Sequence, residues 1–145
     1  MKCKWLLMSL LIACGNGGAF AGIQIREGYV REMPPGQSTT AVFMDIVNSD
    51  NRPIAIVAAT SDAAQTAEVH VHRHEGGSMR MEQVRRLLIP ANGHVQLAPG
   101  GYHLMLINLK RTLYAGEKVN VTLLDEQGKA YSAELPVVKL VGAAP

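Results

Sequence analysis

The sequence predicts an all-β chain, an antiparallel Greek-key sandwich or barrel in one domain. Two observations carry this. Turn signals recur every eight to twelve residues or so, and the runs between them are short and β-type. A third observation agrees: no stretch carries the spacing of a long amphipathic helix, and many short strands with regular turns argue for a sandwich.

The first 21 residues read differently from the rest. Lys2 and Lys4 make a positive start, and Trp5–Ala13 is an apolar run far shorter than the ~20 residues a bilayer span needs. Ala19-Phe20-Ala21 supplies a small-x-small cleavage pattern, so residues 1–21 are expected to be an export signal and 22–145 the mature domain. Leu11-Ile12-Ala13-Cys14 also fits a lipoprotein box, which leaves a lipid anchor on Cys14 as the alternative. Without Lys2 and Lys4 the chain carries 12 basic and 12 acidic residues, so no basic surface argues for nucleic acid. Both cysteines, Cys3 and Cys14, fall in the leader; the mature chain therefore has neither disulfide nor thiolate to use.

Along the mature domain the elements follow in order. Pro34-Pro35-Gly36 precedes Thr40–Val47, an apolar run expected to be a central strand with Met44 in the core. Ser49-Asp50-Asn51 separates it from Ile54–Val57, a second apolar strand. Glu75-Gly76-Gly77 breaks the histidine-rich stretch from the methionines that follow. Pro90–Gly93 and Pro99-Gly100-Gly101 bracket a short segment containing His94, which is read as exposed at a turn. Residues 103–109 read as a buried strand. Lys118–Leu123 alternates with period two, as a half-buried strand should, and Glu126-Gln127-Gly128 turns the chain into its last segment.

Four of the five histidines and three of the five methionines beyond the leader form three clusters between residues 70 and 105. They are His70-Val-His72-Arg-His74, Met79-Arg-Met81 and His103-Leu-Met105. Alternate strand residues share a face, so each cluster presents its donors to one side. Each has a plain reading, since a lone exposed His is usually a solvated polar residue and a lone Met is usually core filler. Together they describe a donor set of imidazole and thioether with neither thiolate nor carboxylate. Such a set favours Cu(I) over zinc, magnesium or calcium. A blue-copper site needs a Cys thiolate, which the mature chain lacks. No nucleophile elbow, phosphate loop or carboxylate pair points to an enzyme.

The spacing adds a resemblance. His70, ten residues, Met81, twenty-one residues, then His103-Leu-Met105 resembles the motif of the PCuAC-type periplasmic copper(I) chaperones. The surrounding Ile89-Pro90-Ala91 and Pro99-Gly-Gly-Tyr-His-Leu-Met105, with Leu109-Lys-Arg111 downstream, are similar too, over essentially the whole mature chain. The resemblance implies a cupredoxin-like β-sandwich and one Cu(I) held by His70, Met81, His103 and Met105. It also implies periplasmic delivery to the Cu(A) site of cytochrome c oxidase subunit II, alongside a Sco-type protein. One position departs: many members have Met where this chain has His72. With His74 this makes a His-rich edge. It is the only place for a second metal, Cu(II), because the C-terminal tail has no donor. A Cu(II) or zinc buffer, or a copper-resistance protein, built on His70, His72 and His74 is the alternative function.

Overall fold

The computed structural model describes residues 22–140; the expected export signal, with both cleavage patterns read there, and the last five residues lie outside the described residues. Ten strands and no helix make up the described chain. They are β1 (Ile23–Arg31), β2 (Thr39–Asn48), β3 (Ile54–Ser61), β4 (Ala64–Glu75), β5 (Ser78–Gln83), β6 (Leu87–Ile89), β7 (His94–Leu97), β8 (Tyr102–Leu109), β9 (Lys118–Asp125) and β10 (Ala130–Val138). Among the described residues no helix is long and apolar enough to cross a membrane.

The sheet runs β5-β4-β8-β2-β1-β10-β9-β3-β6, and a further pairing of β3 with β4 closes it on itself. Closure leaves only the short strands at its margin. β5 borders β4, β6 borders β3, and β7 shares one edge of β2 with β8. The expected antiparallel order holds for every pair but one. β1 and β10 run parallel at Val30–Val137 and Arg31–Val138. Antiparallel strands consecutive in the chain, such as β4 and β5, are joined by tight turns that the sequence advertises, whereas this pair joins the two ends of the domain with no local connection to signal it.

Period-two burial fills the interior. Val119, Val121 and Leu123 on β9 meet Leu104 and Leu106 on β8, all fully buried, and Met44 and Ile46 on β2 join them. Met44 is thus the core residue the sequence predicts. Where the alternation breaks, a polar device stands in. Asn48, buried at the end of β2, donates to the carbonyls of Arg52, Ile89 and Pro90 at 2.8, 3.2 and 3.2 Å, and its Oδ1 accepts from the Asp50 amide at 2.9 Å. That one side chain ties the β2–β3 connection to the end of β6. The β9–β10 turn is held by Asp125, whose carboxylate accepts from the amides of Gln127 and Lys129 and from the Tyr131 hydroxyl at 3.0 Å. In β1 the register slips between Arg26 and Tyr29, with Glu27 at a φ of 50°. There a Cβ on Gly28 would sit 2.6 Å from Leu135 Cδ2, so any side chain requires Leu135 to shift.

Candidate metal centre

The β4–β5 hairpin turns through Gly76 and Gly77, with φ of 58° and 80°. A two-residue hairpin loop of the tightest kind needs positive φ at both central positions, which glycine adopts without steric cost. This turn sets Glu75 opposite Ser78, and from there His74 opposite Met79, His72 opposite Met81 and His70 opposite Gln83. On the other edge of β4, His70 lies opposite His103 and Glu68 opposite Met105. Directly opposed residues point to the same face. His70, Met81, His103 and Met105 therefore share one face of three adjacent strands, while Val69, Val71, Leu104 and Leu106 alternate inward to the core.

His103 is the buried floor of the group, only 3% exposed although it points away from the core. The rings of His70 and His72 cover it, their centroids 6.0 and 4.9 Å from its own, with His72 stacked on it. Met105 is partly buried beside it, and Met81 is half exposed at the outer side. His72 thus stands inside the group, while His74 lies exposed at the hairpin tip. Along a strand, residues 70 and 74 are separated by about 13 Å. Among the described residues, no three His, Cys, Asp or Glu side chains converge closely enough to hold one ion. The histidine edge is a ladder, not a three-imidazole cage.

Two acceptors that the sequence reading did not single out orient the rings. Glu68 Oε2 lies 2.9 Å from His70 Nε2, and the Gly101 carbonyl lies 3.3 Å from His103 Nδ1. A carboxylate and a carbonyl only accept, so His70 carries its proton on Nε2 and His103 on Nδ1. The lone pairs left over are His70 Nδ1 and His103 Nε2. His70 Nδ1 is buried without any hydrogen-bond partner, which is costly for a polar atom unless an electrophile satisfies it. Imidazoles that donate their second N–H to a carboxylate or carbonyl are the usual supporting arrangement for metal-binding rings. Glu68 sits behind the His70 ring as its hydrogen-bond partner, outside the four expected donors. Both acceptors sit two residues before their histidines, but nothing about an acid or a glycine at that spacing marks it as a partner of the ring. Burial holds the His103 imidazole below its usual 6.5; His72 and His70 push the same way, and the bond to Gly101 opposes them. The ring is kept in the neutral form that can donate.

The remaining marked residues lie elsewhere. His94 is mostly exposed on β7 and pairs with Asp45 at 2.8 Å. Arg111 pairs with Glu117 at 3.3 Å.

Residues 23–137 match the model of the LpqE-like family. The chain belongs to the LpqE-like family. Among curated relatives of this LpqE-like chain, a protein of Leifsonia xyli subsp. xyli with lipoprotein in its name is 35% identical over 84% of this chain and 73% of its own length. An uncharacterised protein of Rickettsia prowazekii is 30% identical over 59% of this chain and 48% of its own. Among solved structures, the Cu(I) form of DR1885 from Deinococcus radiodurans is 33% identical, with a TM-score of 0.69, covering 91% of this chain and 89% of that one. The copper-bound PCuAC domain of PmoF2 has the same TM-score at 21% identity, covering 84% and 97%. The all-β, cupredoxin-like fold and the PCuAC resemblance read from the sequence are both borne out.

Proposed function

We propose that this chain is an exported, non-catalytic carrier that holds one Cu(I) through His70, Met81, His103 and Met105 and surrenders it by ligand exchange. The observation that carries the reading is the buried, unpartnered His70 Nδ1, on a ring 6.0 Å from that of buried His103, with two thioethers on the same strand face. A relative one-third identical over nearly the full chain has been solved in its Cu(I) form, which supports the same cargo here. Two imidazoles and two thioethers add no charge of their own, and soft sulfur selects Cu(I) over zinc.

The gradient of exposure orders the release. Met81 is 50% exposed and His103 is 3% exposed. An attacking thiolate or imidazole from an acceptor meets the copper on the Met81 side, displaces that thioether first, and leaves the buried histidine until last. The Cu(A) centre of cytochrome c oxidase subunit II, directly or through a Sco-type protein, is the proposed destination. The word lipoprotein in the names of relatives supports export; the periplasm is the proposed compartment, with a Cys14 lipid anchor as the alternative form. A Cu(II) or zinc buffer on His70, His72 and His74 gains no support from the ladder geometry.

The test is a Cu(I) competition titration in reducing, oxygen-free buffer. Wild type should take one tight equivalent, and Met81→Leu and His103→Ala should each lose at least tenfold in affinity. Transfer from loaded protein to an isolated Cu(A) domain then checks the destination. Unchanged affinity in both variants removes the site as described.

A further inference from the structure

The hairpin that carries Met81 continues outward with the same two donor types. His74 lies directly opposite Met79, one step beyond the His72–Met81 pair and one step before the Gly76-Gly77 turn. The alternate face of the hairpin holds its charges: Arg73 pairs with Glu82 at 2.8 Å and Arg80 with Glu75 at 3.8 Å. From the His72–Met81 pair to the tip, the His/Met face therefore has its donors free of ion pairs. Packing does not account for the methionines. All six residues of β5 are exposed, and Met79 is 56% exposed. An unbranched apolar side chain on an exposed margin strand fills no core.

We propose that His74 and Met79 form a second, weaker Cu(I) station at the hairpin tip, joined to the buried centre by the His72–Met81 pair. The inference rests on the Cu(I) reading above and extends it to how the ion arrives and leaves. Opposed cross-strand residues hold their Cβ atoms about 4.5–5.5 Å apart, so an imidazole nitrogen and a thioether sulfur can close on one ion from either side. Two exposed donors bind more weakly than four partly buried ones, and Cu(I) accepts low coordination. The ladder then grades affinity from the tip to His103: Cu(I) lands at His74–Met79, passes the His72–Met81 pair, and settles between His70 and His103. The return path presents it to an acceptor one donor pair at a time. No electron moves in any step; each exchange replaces one imidazole or thioether donor by another.

The full chain labelled with ¹³C at the methionine methyls, titrated with Cu(I) under reducing, oxygen-free conditions, reports each station separately. Met81 and Met105 methyls should shift with the first equivalent and the Met79 methyl with the second. The buried Met44 should stay still as an internal reference. Met79→Leu should abolish the second equivalent and leave the first at wild-type affinity. A Met79 methyl that does not move through two equivalents overturns the tip station while leaving the central site intact, as does a second equivalent that survives Met79→Leu. If the first equivalent moves neither Met81 nor Met105, the central reading fails, and the station that feeds it falls too.

Discussion

The His70 ring is pinned by Glu68 at 2.9 Å, and its other nitrogen is buried without a partner. A metal-binding imidazole whose carboxylate partner is removed typically loses 10–100-fold in affinity. Glu68→Ala should therefore weaken Cu(I) binding by about that factor, with Glu68→Gln recovering part of it, since an amide oxygen still accepts from Nε2–H. Competition titration of the two variants checks this; equal affinities in wild type and Glu68→Ala would make the contact incidental. His103 supplies a pH signature. Its folded-state pKa lies below the usual 6.5, chiefly through burial. Between those two values the unfolded chain binds a proton that the folded ring refuses, so stability rises with pH there. The metal-free protein should thus lose stability as pH falls from 6.5 through the depressed folded value, and His103→Gln should flatten that part of the curve. Urea midpoints at pH 7 and 5 in both proteins measure it. At this scale the donors were legible because His and Met at i, i+2 are conspicuous in a strand. Glu68 and the Gly101 carbonyl were not, because an acid or a glycine in a strand or turn has many ordinary reasons to be there.

At the scale of elements, the site is a consequence of register. Gly76 and Gly77 fix which β5 residue faces which β4 residue. A one-residue slip would send Met81 to the opposite face from His70. The double variant Gly76→Ala, Gly77→Ala should strain the turn and cut Cu(I) affinity by tenfold or more, while Gly76→Asn alone should preserve it, since Asn-Gly is the favoured pair for such turns. Neither glycine's Cβ would meet another atom within 4 Å, so any loss reports backbone conformation and not a clash. Asn48 plays a comparable organising part where β2 ends. Asn48→Ala leaves three buried or half-buried carbonyls without their donor, and unfolding stability should fall by about 1–3 kcal/mol. The turns at Gly76-Gly77 and Pro99–Gly101 were visible in the sequence as glycine and proline punctuation. The Asp62 turn between β3 and β4 carries neither residue and was not. Asn48 ends an apolar strand, where its role as a bracket across distant segments leaves no local mark.

The whole molecule is a closed ring of strands around one apolar core, with the donor face on the outside of β5, β4 and β8. The sequence has no cysteine beyond Cys14, so no disulfide braces the described residues. Leu104 separates His103 from Met105 and is fully buried, so Leu104→Ala should cost about 2–5 kcal/mol and loosen both donors together. Thermal unfolding with and without Cu(I) should show the variant gaining less from copper than wild type does. All-β class, strand spacing and core alternation could be read from period-two patterning. The parallel β1–β10 pair could not, because it joins segments 107 residues apart that share no turn. The same long-range pairing, β4 against β8, is what sets His70 beside His103. The sequence offered their chemistry but not their contact. If two imidazoles and two thioethers converge on one Cu(I), copper K-edge X-ray absorption of the protein loaded with one equivalent of Cu(I) should show two nitrogen and two sulfur neighbours, with one sulfur lost in Met81→Leu. A set of nitrogen and oxygen neighbours alone, unchanged by that substitution, would overturn the proposed site.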